Sequence, residues 1–191
     1  MKFIDLHRDP WRALAGDDGP PVSITPTPHL LLDLAQWHAA RASWPAGMPV
    51  GLRLSNDQDV EDIAADLPRL AMVALHFPKW VDGRAYSQAR LLRSRWRFAG
   101  EVRALGDVLA DMLPLLERTG FDAVVLRHDQ SIDVAERALG FFPGHYQGDV
   151  RDVLPNVKLP ACEKTVWSKY DSRRSSVGPV FLADVPLLFG R

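Results

Sequence analysis

Four times between residues 50 and 140 a short apolar run gives way to a longer amphipathic one. VGLRL (50–54) leads into SNDQDVEDIAADL, AMVALHF (71–77) into DGRAYSQARLLRSRW, EVRAL (101–105) into GDVLADMLPLLERTG, and DAVVLR (122–127) into HDQSIDVAERALG. Each unit is roughly 25 residues long, the length of a strand, a turn and a returning helix. Parallel neighbours need such a crossover, so the repetition predicts an α/β fold of strand-helix units around a mainly parallel sheet. The sequence leaves two forms open, a three-layer open sheet and a partial barrel.

The helical halves carry their own support. Val60, Ile63, Ala64 and Leu67 recur at helical spacing, as do Ala85, Ala89, Leu92 and Trp96, giving each helix one apolar stripe. Gly100, Gly120 and Gly140 stand where helices should stop, suited to a left-handed cap. The strand segments are apolar on both faces, as in a covered sheet. Pro114 is a conflict, because inside the third helix it removes a backbone donor and predicts a kink or break.

Around this core, residues 1–28 read as loop, since DDGPP and TPTP disfavour helix and inner strand. From His29 to Arg41 the spacing of Leu30, Leu31, Leu34, Ala35, Trp37 and His38 predicts a helix ending before Pro45. Residues 29–147 then form one domain. Residues 148–191 are proline-punctuated and polar, with Arg173 and Arg174 in exposed loop. Only VFLADVPLLFG near the end is apolar enough to pack, so this extension is expected to wrap its own domain or a partner subunit, as in a homo-oligomer.

A chain of 191 residues, 47% hydrophobic and 25% charged, can bury a real core. Its 23 basic and 24 acidic side chains give a formal charge of −1, which offers no global field for nucleic acid or an anionic membrane. No apolar run approaches the ~20 residues of a membrane helix, and MKFIDLHRDPW carries no signal-peptide core, so a soluble cytoplasmic protein is expected. Cys162 is the only cysteine, which excludes an internal disulfide and a multi-cysteine metal site. GxGxxG, GxxxxGK[ST], GxSxG, HExxH and CxxC are all missing, and no cofactor is expected.

In a right-handed parallel arrangement all strand-to-helix turns open at one edge, where helix N-termini favour an anion. The polar residues expected there are Arg53, Asn56, Asp57, Lys79, Asp82, Arg84, Tyr86, Asp107, Arg127, His128 and Asp129. The densest stretch is FPKWVDGRAYSQARLLR (77–93). Lys79, Arg84 and Arg127 are the candidate anion contacts of that edge, Asp82 and Asp107 orient them, and Gly83, Tyr86 and Ser87 complete a ligand-binding set. Asp82 and Asp107 are also the candidates for a general base, which requires a shifted pKa. Capping alone accounts equally for Asp57, Asp82, Asp107 and Asp129, since an aspartate N-cap is worth ~1 kcal/mol. His76 reads as a packed core histidine, and His128 lacks a second histidine at metal-site spacing, so no metal is expected. Arg90, Arg93, Arg95, Arg97 and Arg103 with Trp96 form one local basic cluster, read as a solvated face or a dock for an acidic protein rather than a nucleic-acid site.

FPKWVDGRAYSQARLLR, GEVRALGDVLADMLPLLERTGFDAVVLR and the closing HYQ resemble a family of bacterial proteins classed only as a domain of unknown function. The similarity covers about residues 45 to 147. Family members typically read FPKF(T)DGRGYS, matched here by Phe77, Pro78, Lys79, Asp82, Gly83, Arg84, Tyr86 and Ser87. Ala85 replaces the usual glycine and Pro114 a common aromatic. Genes of that family commonly lie beside those of sulfite reductase and phosphoadenylyl-sulfate reductase. The resemblance therefore implies an accessory protein of assimilatory sulfate and sulfite reduction, binding a reductase partner or a small oxyanion. An enzyme acting on a sulfur- or phosphate-bearing metabolite at the same edge, and a purely structural or oligomer-forming protein, are the alternatives.

Overall fold

The computed structural model describes residues 1–14, 24–141 and 148–150. The expected extension beyond Val150, with Cys162, Arg173 and Arg174, lies outside the described residues, as do the DDGPP stretch and the HYQ triplet. Two very short strands, β1 (Lys2–Phe3) and β2 (Arg12–Ala13), precede β3 (Leu30–Asp33) and helix α1 (Leu34–Ala40). There follow β4 (Val50–Leu54), β5 (Met72–Phe77), α2 (Arg84–Ser94), β6 (Glu101–Gly106), α3 (Leu113–Thr119), β7 (Ala123–Val124) and α4 (Ile132–Leu139).

The strands form one sheet in the order β1-β7-β6-β5-β4-β3-β2, every pairing parallel, curled into a half-barrel. The α/β expectation holds, and of its two forms the partial barrel is the one adopted. From β2 to β7 each strand lies beside its chain neighbour, so same-handed crossovers put all the helices on one face. That face is the main core. Leu32, Leu52, Val73, Leu75, Phe77, Val102, Ala104 and Val124 project into it and meet Trp37, Ala89, Leu92, Leu113, Leu116 and Phe121. Phe77 stacks on Phe121 at 5.9 Å and on Tyr86 at 5.2 Å, so α2 and the chain entering β7 are fixed to the end of β5. Fully burying each such ring contributes roughly 1.5–3 kcal/mol.

Several local expectations are corrected. LLLD is an inner strand, not the start of a helix. Its alternate leucines serve opposite faces, and helix begins only at Leu34, where Asp33 and Gln36 form a reciprocal capping box. The stripe Val60, Ile63 and Leu67 is buried, but in two turns of 3-10 helix (Val60–Ile63 and Leu67–Arg69); Pro68 bars a continuous α-helix. Pro114 kinks nothing, because α3 starts at Leu113 after a 3-10 turn and proline is tolerated in a first turn. Of the three expected left-handed caps only Gly120 is one, with φ 105°; Gly140 caps α4 in the right-handed region. Trp96 lies just beyond α2. The basic cluster is split, because Arg93 donates to the carbonyls of Gly120, Gly100 and Phe98, Arg95 pairs with Glu61, and Arg103 lies on the other face of the sheet.

The N-terminal loop also contributes structure. β1 pairs with β7 at one edge and β2 with β3 at the other, so residues 4–11 cross the helix-free face. Trp11 settles on Leu31, Met72 and Ala74 of that face, where Gly51 leaves room: a Cβ there would stand 2.9 Å from the indole. Asp9 forms an ion pair with Arg103 of β6; the two side chains are 4% and 3% exposed. Glu101 holds the same guanidinium at 2.7 Å. This strap fills the half of the face nearest the strand starts and leaves the carboxyl ends uncovered.

Candidate functional site

At the carboxyl ends, three consecutive strands place a polar residue on the helix-free face: the half-buried Asp33 from β3, the exposed Arg53 from β4 and His76 from β5. Asp33 and Arg53 are direct register neighbours. With Ser55 and Gln58 from the turn after β4, they line a cavity of about 290 Å³. Beside Arg53 on the same cross-strand row lie the buried Ala74 and then Arg103 with its partner Asp9. His76 is half-buried, not a packed core histidine; its parity along β5 aims it away from the core that holds Leu75 and Phe77. Burial and then the Arg53 charge lower its pKa from 6.5, so the imidazole is neutral at neutral pH. Gly106, with φ 96°, turns the chain beside it, and a Cβ there would stand 3.0 Å from His76 Nε2.

The turn that carries Ser55 and Gln58 is built from several hydrogen bonds. Ser55 N donates to Gln58 Oε1 at 2.9 Å and Ser55 Oγ to Asp57 at 2.7 Å. The buried Gln88 of α2 donates from Nε2 to the carbonyls of Ser55 at 2.9 Å and Gln58 at 2.7 Å. Asn56 donates to Asp82 Oδ2 at 2.6 Å. The densest stretch of the sequence therefore acts on the cavity through its neighbour: the start of α2 holds the turn that forms one wall.

The expected site residues divide into two rim networks. Arg84 donates through Nε at 3.0 Å and Nη2 at 2.7 Å to the two oxygens of Asp82. Arg84 chiefly, through its side chain, holds the Asp82 pKa down to about 2. Arg127 donates to Asp107 Oδ1 at 2.7 Å and to both oxygens of Asp129, at 2.6 and 2.7 Å. Asp107 also accepts the Trp80 amide at 2.9 Å; that bond, then Arg127, lowers its pKa. These aspartates are not N-caps: Gly83 occupies that position at α2, while Asp59 caps the first 3-10 turn and Ser131 stands at the cap position of α4. Asp57 serves the Ser55 turn instead. Lys79 and Ser87 are exposed on the surface, and His128 is exposed beside Arg127. Tyr86 packs on Phe77 and Phe121, and burial raises its hydroxyl to about 12, so it stays protonated at ordinary pH.

The structure thus brings Asp82, Gly83 and Arg84 together, and Asp107 with Arg127, at the edge named from sequence. It adds Asp33, Ser55, Gln58, His76 and the supporting Gln88. Arg53 differs from the neighbouring arginines: among the described residues no carboxylate lies within 4 Å of its guanidinium, whereas Arg84, Arg103 and Arg127 are all paired. No cluster of three or more metal-ligating side chains occurs among the described residues, and no described helix is long and apolar enough to cross a membrane.

A half-barrel of parallel strand-helix units, with a polar cavity at the strand carboxyl ends, is the arrangement that in barrel and doubly wound folds places ligands at this edge. Residues 51–157 match the family described as bacterial protein of unknown function (DUF934), and the chain belongs to that family. The match begins in β4 and covers both rim networks and His76. No curated protein matches the chain.

Proposed function

We propose that this protein grips the oxyanion group of a small metabolite in the cavity at the ends of β3, β4 and β5, as an accessory protein of assimilatory sulfate and sulfite reduction. The observation that carries the first half is Arg53, an unpaired guanidinium on the wall of a concave polar site. An arginine left without a carboxylate beside hydrogen-bonding side chains is suited to an oxyanion, which it can grip with two parallel donors. Lys79, at the same edge, adds a second cation without a carboxylate partner among the described residues. The second half rests on the family resemblance and its gene neighbourhood. Docking of the FPKWVDGR loop on a reductase agrees with Trp80 and Val81, which are 52% and 65% exposed at its tip. Asp82 and Asp107 suit a general base poorly, because their arginine partners and a backbone amide favour the ionised form and depress the basicity the role needs.

Thermal unfolding with sulfate, sulfite and phosphate tests the binding. A ligand at 100 times its dissociation constant adds about 2.7 kcal/mol to the native state, which raises the midpoint by several degrees. The shift is expected to vanish in Arg53→Met. No shift with any anion, or one unchanged in the variant, overturns the reading. For the sulfur role, a bacterial strain lacking the gene is expected to grow normally on cysteine and poorly on sulfate; equal growth on both removes it.

A further inference from the structure

Asp33 and Arg53 are adjacent across β3 and β4, project to the same face and line the same cavity, yet they do not pair. Their charges stay apart although nothing in the sheet register prevents an approach. Asp33 Oδ1 is engaged by the Gln36 amide at 2.8 Å, which fixes the carboxylate at the start of α1; among the described residues Oδ2 accepts no hydrogen bond. Arg53 likewise has open donors. The wall therefore presents one fixed anion and one free cation, with a neutral imidazole and two uncharged side chains beside them.

A bare dianion fits only half of this arrangement, since Asp33 repels it. We propose that the cavity takes a small zwitterion, an amino acid or amino sulfonate, with its oxyanion on Arg53 and its ammonium on Asp33. Each end then forms a charge-assisted hydrogen bond, and the ligand bridges two charges that the protein holds apart. The volume of about 290 Å³ lies at the small end of ligand pockets, enough for an amino acid and too little for a dinucleotide. Ser55, Gln58 and His76 are left to meet the side chain of the ligand. The inference rests on the proposed anion site and names its ligand class.

Calorimetric titration of the full chain with L-alanine, taurine and sulfate tests it. At least one zwitterion is expected to bind, with a loss of tenfold or more in both Arg53→Met and Asp33→Asn. Asparagine remains a good N-cap, so α1 is retained; Asp33→Ser, which also caps, serves if the first variant does not fold. A zwitterion affinity unchanged or raised in Asp33→Asn overturns the inference. Sulfate binding that depends on Arg53 and strengthens in Asp33→Asn, with neither zwitterion bound, overturns it while leaving the anion site standing. Binding of none of the three overturns both.

Discussion

Replacing Asp9 by alanine is expected to lower the stability of the protein by about 3 kcal/mol, because it leaves a buried guanidinium short of half its compensation. Arg103 is 3% exposed on the inner face of β6, and the partner it loses comes from the strap. Glu101 remains beside it at 2.7 Å, which places the cost at the lower end of the range for breaking buried pairs. For a domain of this size the midpoint should fall by roughly 6–12 °C. The double variant Asp9→Ala/Arg103→Met is expected to recover at least half of the loss, since an apolar side chain needs no partner among Met72, Ala74 and Trp11. Denaturant titration of the unaltered protein and the two variants decides the matter. A single-variant loss under about 1 kcal/mol would mean that Glu101 alone satisfies Arg103.

Gly106→Ala is expected to cost a similar amount, about 3 kcal/mol, for a different reason. At φ 96° an L-residue is strained, and the added methyl would press into the Phe77 carbonyl oxygen, a backbone atom that cannot swing aside. It would also crowd His76 Nε2, so any anion binding should weaken together with stability. Gly47 provides the control. Its φ is 81°, but a Cβ there meets nothing within 4 Å, so Gly47→Ala should cost only about 1 kcal/mol of backbone strain. Equal effects at the two positions would show that conformation alone, and not the contact beside the site, governs Gly106.

The fold was largely legible because short continuous apolar runs alternate with longer period-3.6 stripes from Val50 to Leu139. LLLD was misread for a physical reason: a four-residue strand followed immediately by a helix blends two periods, and Leu30, Leu31 and Leu34 satisfy the longer one by chance. The strap was invisible, since its two-residue strands carry no period at all and its anchor, Asp9 with Arg103, spans most of the domain. At the site, charge density drew attention to Lys79, Asp82, Arg84 and Arg127. Density marked the self-paired rim, however, and the cavity is marked by parity. Leu31 and Asp33, Gly51 and Arg53, and Ala74 and His76 each alternate inward along their strands, so the last inward position is polar three times running. That signal is in the sequence, but it can be used only once the strand register is known.

Because Lys2 and Phe3 pair with Ala123 and Val124, β1 finds its seat only once β7, far along the chain, is in place. Bridging so long a chain is costly in entropy, so β1 joins late in folding. Until then the strap that carries Asp9, the partner of Arg103, is held to the sheet only through β2. Completion of the sheet edge is then a late event, and the strap between β1 and β2 is anchored at both ends only when β7 is in place.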